Sequence, residues 1–310
     1  MRMTIDRDAV TVLVPTLNEA PTIQALVRDF VDRGYTRVLV VDGKSTDGTA
    51  ALAMAAGAEV LVQAGRGKGN AVIEAFREIR TPYVLMLDGD GTYAAADADR
   101  MVAPLEQGVD QVIGDRLGPA TRGAISPLNR AGNYLLNRLF RLAHGRYLAD
   151  ILSGYRAFTK ASIDQMTLAE QGFGIETELA VEAVRNGHRV GVVPISYDRR
   201  AGTATKLNPL RDGYRIAKTI YRLARMNNPL FYFGLIGVTL SLVGLLVGAF
   251  VLYEWFIGIE HIPLTILTVL LIVVGIQIFV FGLIGDLILS FHRETLDEIA
   301  ALKRLQERAK

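Results

Sequence analysis

The stretch Tyr83-Val84-Leu85-Met86-Leu87-Asp88-Gly89-Asp90-Gly91 runs an apolar segment straight into two carboxylates set between glycines. A short continuous apolar run bounded by turn residues reads as a strand buried on both faces, and polar groups delivered at its carboxyl end are the pattern of a ligand-binding parallel sheet. The same arrangement precedes it in the chain. Val10-Thr11-Val12-Leu13-Val14 leads into Pro15-Thr16-Leu17-Asn18-Glu19, and Val38-Leu39-Val40-Val41 leads into Asp42-Gly43-Lys44-Ser45-Thr46-Asp47-Gly48. Between them Ile23, Leu26, Val27, Phe30 and Val31 follow helical spacing, with Pro21 suited to the first turn and Gly34 to the end. Asp47-Gly48 opens a second helix, which Gly57 closes, and Val60–Val62 and Val109–Ile113 read as further buried strands. Repeated strand–helix–strand units demand parallel pairing with right-handed crossovers, which brings Asn18, Asp42 and Asp88 to one sheet edge. Gly114 to Ser126 is expected to be the longest irregular loop.

Composition divides the chain. Of 310 residues 50% are hydrophobic, mean hydropathy is +0.27 and the formal net charge is +2. That is too apolar for a purely soluble enzyme and suits an α/β head joined to a membrane part. The lack of cysteine excludes disulfides, thiolate metal sites and a cysteine nucleophile. Met1 to Asp8 is polar and Val10–Val14 too short for a signal sequence, so the head is expected in the cytoplasm. Leu230–Tyr253 and Ile262–Gly285 each hold 24 residues without a charge. At ~1.5 Å per residue each helix crosses a hydrocarbon core of ~30 Å. Between them lie Glu254, Trp255, Glu260 and His261, whereas Arg199, Arg200, Lys206, Arg211, Arg215, Lys218, Arg222 and Arg225 precede the first run against only Asp212. The positive-inside tendency then gives a hairpin with head and both termini cytoplasmic. Gln277 and the glycines of the two runs suit helix packing.

The expected domains are a cytoplasmic head over 1–206, a basic amphipathic interfacial helix over 207–228, the two-helix hairpin over 229–290 and a cytoplasmic tail over 291–310. Arg211, Arg215, Lys218, Arg222 and Arg225 fall on one stripe beside an apolar face of Leu210, Tyr214, Ala217, Ile220, Tyr221 and Ala224, which suits anionic headgroups. Basic residues confined to this segment disfavour nucleic acid as a partner.

The motifs are weighed by chemistry. Asp88 and Asp90 suit Mg²⁺ or Mn²⁺ bridging phosphate oxygens, because hard dications take oxygen ligands and keep positions open for substrate. Asp42 is placed to accept hydrogen bonds from a nucleobase or ribose; its plain alternative is to cap the turn at Ser45. Gly43-Lys44-Ser45 imitates the end of a P-loop but has Val38 where that motif needs glycine. Gly65-Arg66-Gly67-Lys68-Gly69-Asn70 lacks the third glycine of a dinucleotide fingerprint, though Arg66 and Lys68 suit an anionic nucleotide edge. Asp88-Gly89-Asp90-Gly91-Thr92 also matches the nucleophile motif of haloacid-dehalogenase-type phosphatases. Their later Gly-Asp-x-x-x-Asp motif fails here, since Pro119 follows Gly114-Asp115 where the second Asp is needed. A degenerate head serving as a membrane-anchored binding scaffold is the remaining alternative.

As an ordered set, Pro15-Thr16-Leu17-Asn18-Glu19, Val41-Asp42-Gly43, Gly67-Lys68-Gly69, Asp88-Gly89-Asp90, Gly114-Asp115-Arg116 and Leu152-Ser153-Gly154-Tyr155-Arg156-Ala157-Phe158 resemble the inverting family-two glycosyltransferases that load sugars onto polyprenyl phosphates. With Gly172-Phe173-Gly174-Ile175-Glu176-Thr177-Glu178 and the paired C-terminal runs, the chain looks most like archaeal dolichyl-phosphate glucosyltransferases, with dolichyl-phosphate mannose synthases next. The resemblance implies an A-type glycosyltransferase fold: a Rossmann-like, mostly parallel sheet followed by a two-helix transmembrane hairpin. It further implies inverting transfer of glucose from UDP-glucose to dolichyl phosphate for protein N-glycosylation at the cell membrane, with Mg²⁺ or Mn²⁺. GDP-mannose or UDP-GlcNAc is the alternative donor. Donor contacts fall by resemblance to Pro15, Asn18, Glu19, Asp42, Lys68, Gly69 and Asp88, and metal ligation to Asp88 and Asp90. Acceptor contacts fall to Arg116, Ser126, Ser153, Arg156 and Glu176, and catalysis to Asp88, Asp90, Arg116 and Arg200. Thr92 and the stretch Gly202-Thr203-Ala204-Thr205-Lys206 depart from the mannose synthases' pattern.

Overall fold

The computed structural model describes residues 6–118, 125–172, 174–198, 213–214, 216–219, 221 and 229–308. The chain divides into two units, Met1–Ile220 and Tyr221–Lys310.

In the first unit each apolar run of the sequence becomes a strand. They are β1 (Val10–Thr16), β2 (Arg37–Asp42), β3 (Glu59–Val62) and β4 (Tyr83–Met86), joined by α1 (Ala20–Asp32), α2 (Thr49–Ala55) and α3 (Lys68–Glu78). The chain continues through α4 (Ala98–Glu106), β5 (Gln111–Asp115), α5 (Pro127–His144), β6 (Arg156–Thr159), α6 (Lys160–Asp164), α7 (Ile175–Arg185) and β7 (Val190–Pro194). The seven strands lie in the order β3-β2-β1-β4-β6-β5-β7. All pairs are parallel except those of β6, which runs antiparallel to both β4 and β5.

Strand alternation sorts the core into two layers. Val10, Val12, Val14, Val38, Val40 and Leu85 face α1, α2 and α4, where Ile23, Val27, Phe30, Ala53, Met101 and Val102 are buried. Leu13, Leu39, Val41, Val84, Met86 and Phe158 face α3 and α7, where Val72, Phe76, Ile175 and Leu179 are buried. A sheet covered on both faces explains why these strands read as unbroken apolar runs. Pro21 lies in the first turn of α1, as its fixed φ favours.

Three expectations are corrected. β3 was expected to be buried, but it is the sheet's edge and Val62 is exposed. The fifth strand begins later than Val109 and runs on through Gly114 and Asp115, because β7 pairs with it as far as Asp115 and Pro194. Gly114 therefore belongs to the strand, and a Cβ there would come within 2.7 Å of the Ile195 side chain. β6 and β7 gave no signal strong enough to read beforehand.

The second unit holds α8 (Pro229–Phe256) and α9 (Ile262–Arg308). Residues 229–256 and 262–291 are long and apolar enough to cross a membrane. They pack through small residues: a Cβ on Gly237 would lie 2.5 Å from the Gly275 carbonyl oxygen, and one on Gly275 would lie 2.7 Å from that of Gly237. Such close backbone approach is how apolar helices associate where no hydrophobic force separates them from lipid. The tail beyond 285 continues α9 to Arg308. Of the expected interfacial helix, residues 213, 214, 216–219 and 221 are helical. Arg211, Arg215, Arg222 and Arg225 lie outside the described residues.

A candidate active site at the carboxyl edge of the sheet

At the ends of β1 and β2, two turns are laced together by side chains. Asn18 holds a left-handed φ of 53°, a conformation asparagine tolerates; its N–H donates to Ser45 Oγ at 2.8 Å and its Oδ1 accepts from Thr46 N–H at 2.9 Å. Glu19 N–H donates to Thr49 Oγ1 at 2.9 Å. Asp42 Oδ2 accepts from Ser45 N–H at 3.0 Å, the turn-capping bond expected of it. Its Oδ1 is buried, with no donor in reach among the described residues. A buried acceptor left open is costly unless a ligand supplies the hydrogen bond. Pro15 sits within β1, registered with Val41. Lys44 Nζ donates to the Ala64 carbonyl at 2.9 Å.

The third strand end carries the carboxylate pair. Thr22 Oγ1 donates to the Gly89 carbonyl at 2.7 Å and pins the loop to α1. Asp90 Oδ1 accepts from Thr92 N–H at 3.1 Å and Thr92 Oγ1 at 2.6 Å, so the carboxylate is oriented. Asp88 pairs with Lys68, whose ammonium also pairs with Glu176 at the start of α7. Burial works against the Lys68 ammonium, but Asp88 and Glu176 outweigh it and hold its pKa above the usual lysine range. Gly67 and Gly69 prove to be seam residues: a Cβ on Gly69 would fall on the Glu170 carbonyl, and Gly69 N–H donates to Gln171 O at 3.1 Å. The glycines admit this crossing segment.

Beyond β4 the site is built from charges that satisfy one another. Arg116 donates from Nε and Nη2 to Asp150 Oδ2 and Oδ1 at 2.7 and 2.9 Å, a bidentate pair with Asp150 fully buried. Desolvation opposes the Arg116 charge, but Asp150 outweighs it and raises its pKa further. The guanidinium lies 5.3 Å from the Tyr197 ring, and Tyr197 contacts Tyr93 edge-on at 5.2 Å. Tyr93 OH accepts from Gly154 N–H at 2.9 Å, and burial holds that phenol above its ordinary range, hence protonated.

The acceptor set is therefore split. Arg156 is fully buried; its Nε and Nη2 donate to the carbonyls of Ser153 and Ile151 at 3.0 and 2.7 Å, and burial pushes its pKa down to about 10. It braces the 151–153 turn with two of its nitrogens, while its buried Nη1 finds no acceptor among the described residues. Ser153 is also buried, its Oγ accepting from Tyr155 N–H. Ser126 caps α5 by accepting from Asn129 N–H at 3.2 Å. Among the described residues its link to the cluster runs through its helix, where Arg130 Nη1 donates to Leu117 O. Glu176 sits on Lys68, joining residues that sequence assigned to opposite substrates. Arg200, with Arg199, lies outside the described residues. Asp150, Tyr93 and Tyr197 were missed. Only Asp150 left a trace, as an acid three residues before the Ser153-Gly154 pair.

A divalent ion fits two of these groups. Among the described residues no three acids or histidines are gathered as a closed metal cage. Asp88 and Asp90 offer hard oxygen donors, and Gly154 leaves room where a Cβ would come within 2.5 Å of Asp88 Oδ2. Two carboxylates suit an ion whose remaining positions belong to phosphate and water.

Comparison with known proteins follows the same lines. The family model described as "Glycosyl transferase family 2" matches residues 11–165. Glycosyltransferase AglJ of Haloferax volcanii is 50% identical over 299 residues, covering 96% of this chain and 99% of that protein. A dolichyl-phosphate hexose transferase of the same organism is 34% identical, covering 70% of this chain and 94% of that one. Among solved structures, glucosyl-3-phosphoglycerate synthase from Mycobacterium tuberculosis, in complex with Mn²⁺, UDP-glucose and phosphoglyceric acid, aligns with TM-score 0.57 at 22% identity. The alignment covers 70% of this chain and 81% of that one, and it shows a shared fold.

Proposed function

Because the chain belongs to glycosyl transferase family 2 and is a glycosyltransferase, we propose that it transfers glucose from UDP-glucose to dolichyl phosphate with inversion. Family membership sets aside the phosphatase reading of Asp88-Gly89-Asp90-Gly91-Thr92. The observation that carries the proposal is the pairing of two unlike sub-sites at one sheet edge. An open buried acceptor on Asp42 and an oriented carboxylate pair lie on the donor side. A fixed, ring-backed guanidinium on Arg116 stands one residue past β5, which ends at the same edge.

Asp42 Oδ1 takes a hydrogen bond from the nucleoside, with Asn18 and Glu19 keeping the two turns in register. Asp88 and Asp90 would hold Mg²⁺ or Mn²⁺, which when bound offsets charge on the leaving diphosphate. Lys68, poised between Asp88 and Glu176, adds a cation on the same side. Arg116, oriented from behind by Asp150, holds the acceptor phosphate in line with the anomeric carbon. A phosphate monoester with a second pKa of ~6 is already mostly dianionic at neutral pH, so no general base is required. The protonated Tyr93 is unsuited to that task in any case. Arg200 is assigned to the departing diphosphate. A single displacement from an α-linked donor gives a β-linked dolichyl-phosphate glucose for N-glycosylation.

The hairpin crosses the cell membrane with head and termini cytoplasmic, and the four-part division of the chain drawn from sequence is retained. The dolichyl acceptor is supported by the named hexose transferase relative. The test is transfer of labelled hexose from UDP-glucose, GDP-mannose and UDP-GlcNAc in parallel to dolichyl phosphate, with and without Mg²⁺. Organic-phase label from UDP-glucose alone, and only with metal, is expected. Label from another donor would keep the chemistry and replace the sugar, and none from any donor would sink the proposal.

A further inference from the structure

We propose that the outer face of α5 lies on an anionic lipid surface. The helix is apolar on two sides. Leu136, Phe140 and Ala143 bury one face in the head. On a neighbouring flank Leu128, Leu135 and Leu142 recur every seven residues and stay 65%, 66% and 61% exposed, with Tyr134 exposed beside them. Isolated exposed leucines are ordinary, but a repeating stripe of them is not. The polar groups along it are Arg138 and Arg141, both exposed, and α5 contains no Asp or Glu. Leucine and tyrosine flanked by arginine, with acids excluded, match the boundary between acyl chains and negative headgroups.

The inference rests on reading α8 and α9 as membrane-spanning, since that hairpin keeps the head within reach of a bilayer. Its consequence reaches the site. From the inner face of α5, Arg130 Nη1 donates to Leu117 O at 2.9 Å and Asn137 Oδ1 accepts from Ile151 N–H at 3.0 Å. These bonds hold the segments that carry Arg116 and Asp150, so a helix seated on lipid presents that pair to a phosphate at the headgroup level.

The chain has no native cysteine, which permits single labelling. Leu135→Cys and Leu142→Cys carrying an environment-sensitive NBD group are compared with Met54→Cys, exposed on α2, in the full chain reconstituted into phosphatidylcholine–phosphatidylglycerol vesicles. The proposal expects emission from positions 135 and 142 to shift to shorter wavelength and to be quenched by lipids bearing a headgroup-level nitroxide. Position 54 should do neither, and Arg138→Glu with Arg141→Glu should reduce the quenching. Protein that floats with the vesicles while 135 and 142 behave like 54 would overturn the docking face alone. A shift without lipid quenching would assign the face to a second copy or another protein and likewise overturn it. Protein that fails to float would overturn the hairpin reading and this inference together.

Discussion

The two sides of the site are held by different means. At the ends of β1 and β2 polar groups are satisfied within a few residues or by the adjoining turn, as with Asp42 to Ser45 and Asn18 to Thr46. Around β5 and β6 they are satisfied across the chain, as Arg116 is by Asp150. Turn bonds are modest, each worth ~1 kcal/mol, and losing one leaves the rest standing. Buried ion pairs behave otherwise, because removing one partner strands a charge in the interior. The donor side is thus robust and the far side brittle.

The sharpest way to break that contrast is Arg116→Ala. It would strand the fully buried Asp150, so we expect loss of transfer together with destabilisation of ~3–5 kcal/mol, read from denaturant unfolding. Activity lost with unfolding unchanged would mean that the pair contributes nothing to the fold. Gly69→Ala tests the seam between the sides. Its Cβ meets backbone, not a flexible side chain, so the 170–171 segment must move at a cost of ~1–3 kcal/mol. Wild-type stability in that variant would show that the segment yields freely.

The same contrast explains what sequence could show. β1, β2 and β4 are covered on both faces, and each delivers its polar residues locally, so an apolar run followed by a turn motif was enough to find Asn18, Asp42 and Asp88. The other half is assembled from distant residues. Asp150 is 34 positions from Arg116, and no spacing rule announces such a pair. The antiparallel β6 was hidden because Arg156-Ala157-Phe158-Thr159 is short and opens on a charge. Arg156 shows the limit: sequence could not tell that two of its nitrogens are taken by the carbonyls of Ser153 and Ile151, leaving only Nη1 without an acceptor among the described residues. The glycines of Gly67-Lys68-Gly69 were legible as a place of close approach, but what approaches is the chain's own backbone.

A smaller effect is expected on the robust side. Asp42→Ala removes the open acceptor and one turn bond, so uridine nucleotide binding should weaken about tenfold, ~1.4 kcal/mol, while the fold loses only ~1 kcal/mol. Titration calorimetry with UDP and Mg²⁺ reads the first, and thermal unfolding the second. Unchanged affinity would remove Asp42 from the donor site.

The smallest effect lies on α7, where the brittle side carries a charge it would be better without. Glu178 accepts from Ala169 N–H and Glu170 N–H, which favours its anion, but burial outweighs these bonds and raises its pKa above the usual carboxylate value. The folded state then binds more protons than the unfolded chain between the ordinary and the raised pKa, so stability is highest below that window and falls as pH rises through it. Glu178→Gln keeps an oxygen to accept both N–H groups and removes the charge. It should therefore raise the unfolding temperature slightly at pH 7 and leave it unchanged near pH 4, where the wild-type carboxyl is protonated. A gain of equal size at both pH values would point to packing instead of charge, and a loss at pH 7 would show that the two N–H groups need the anion.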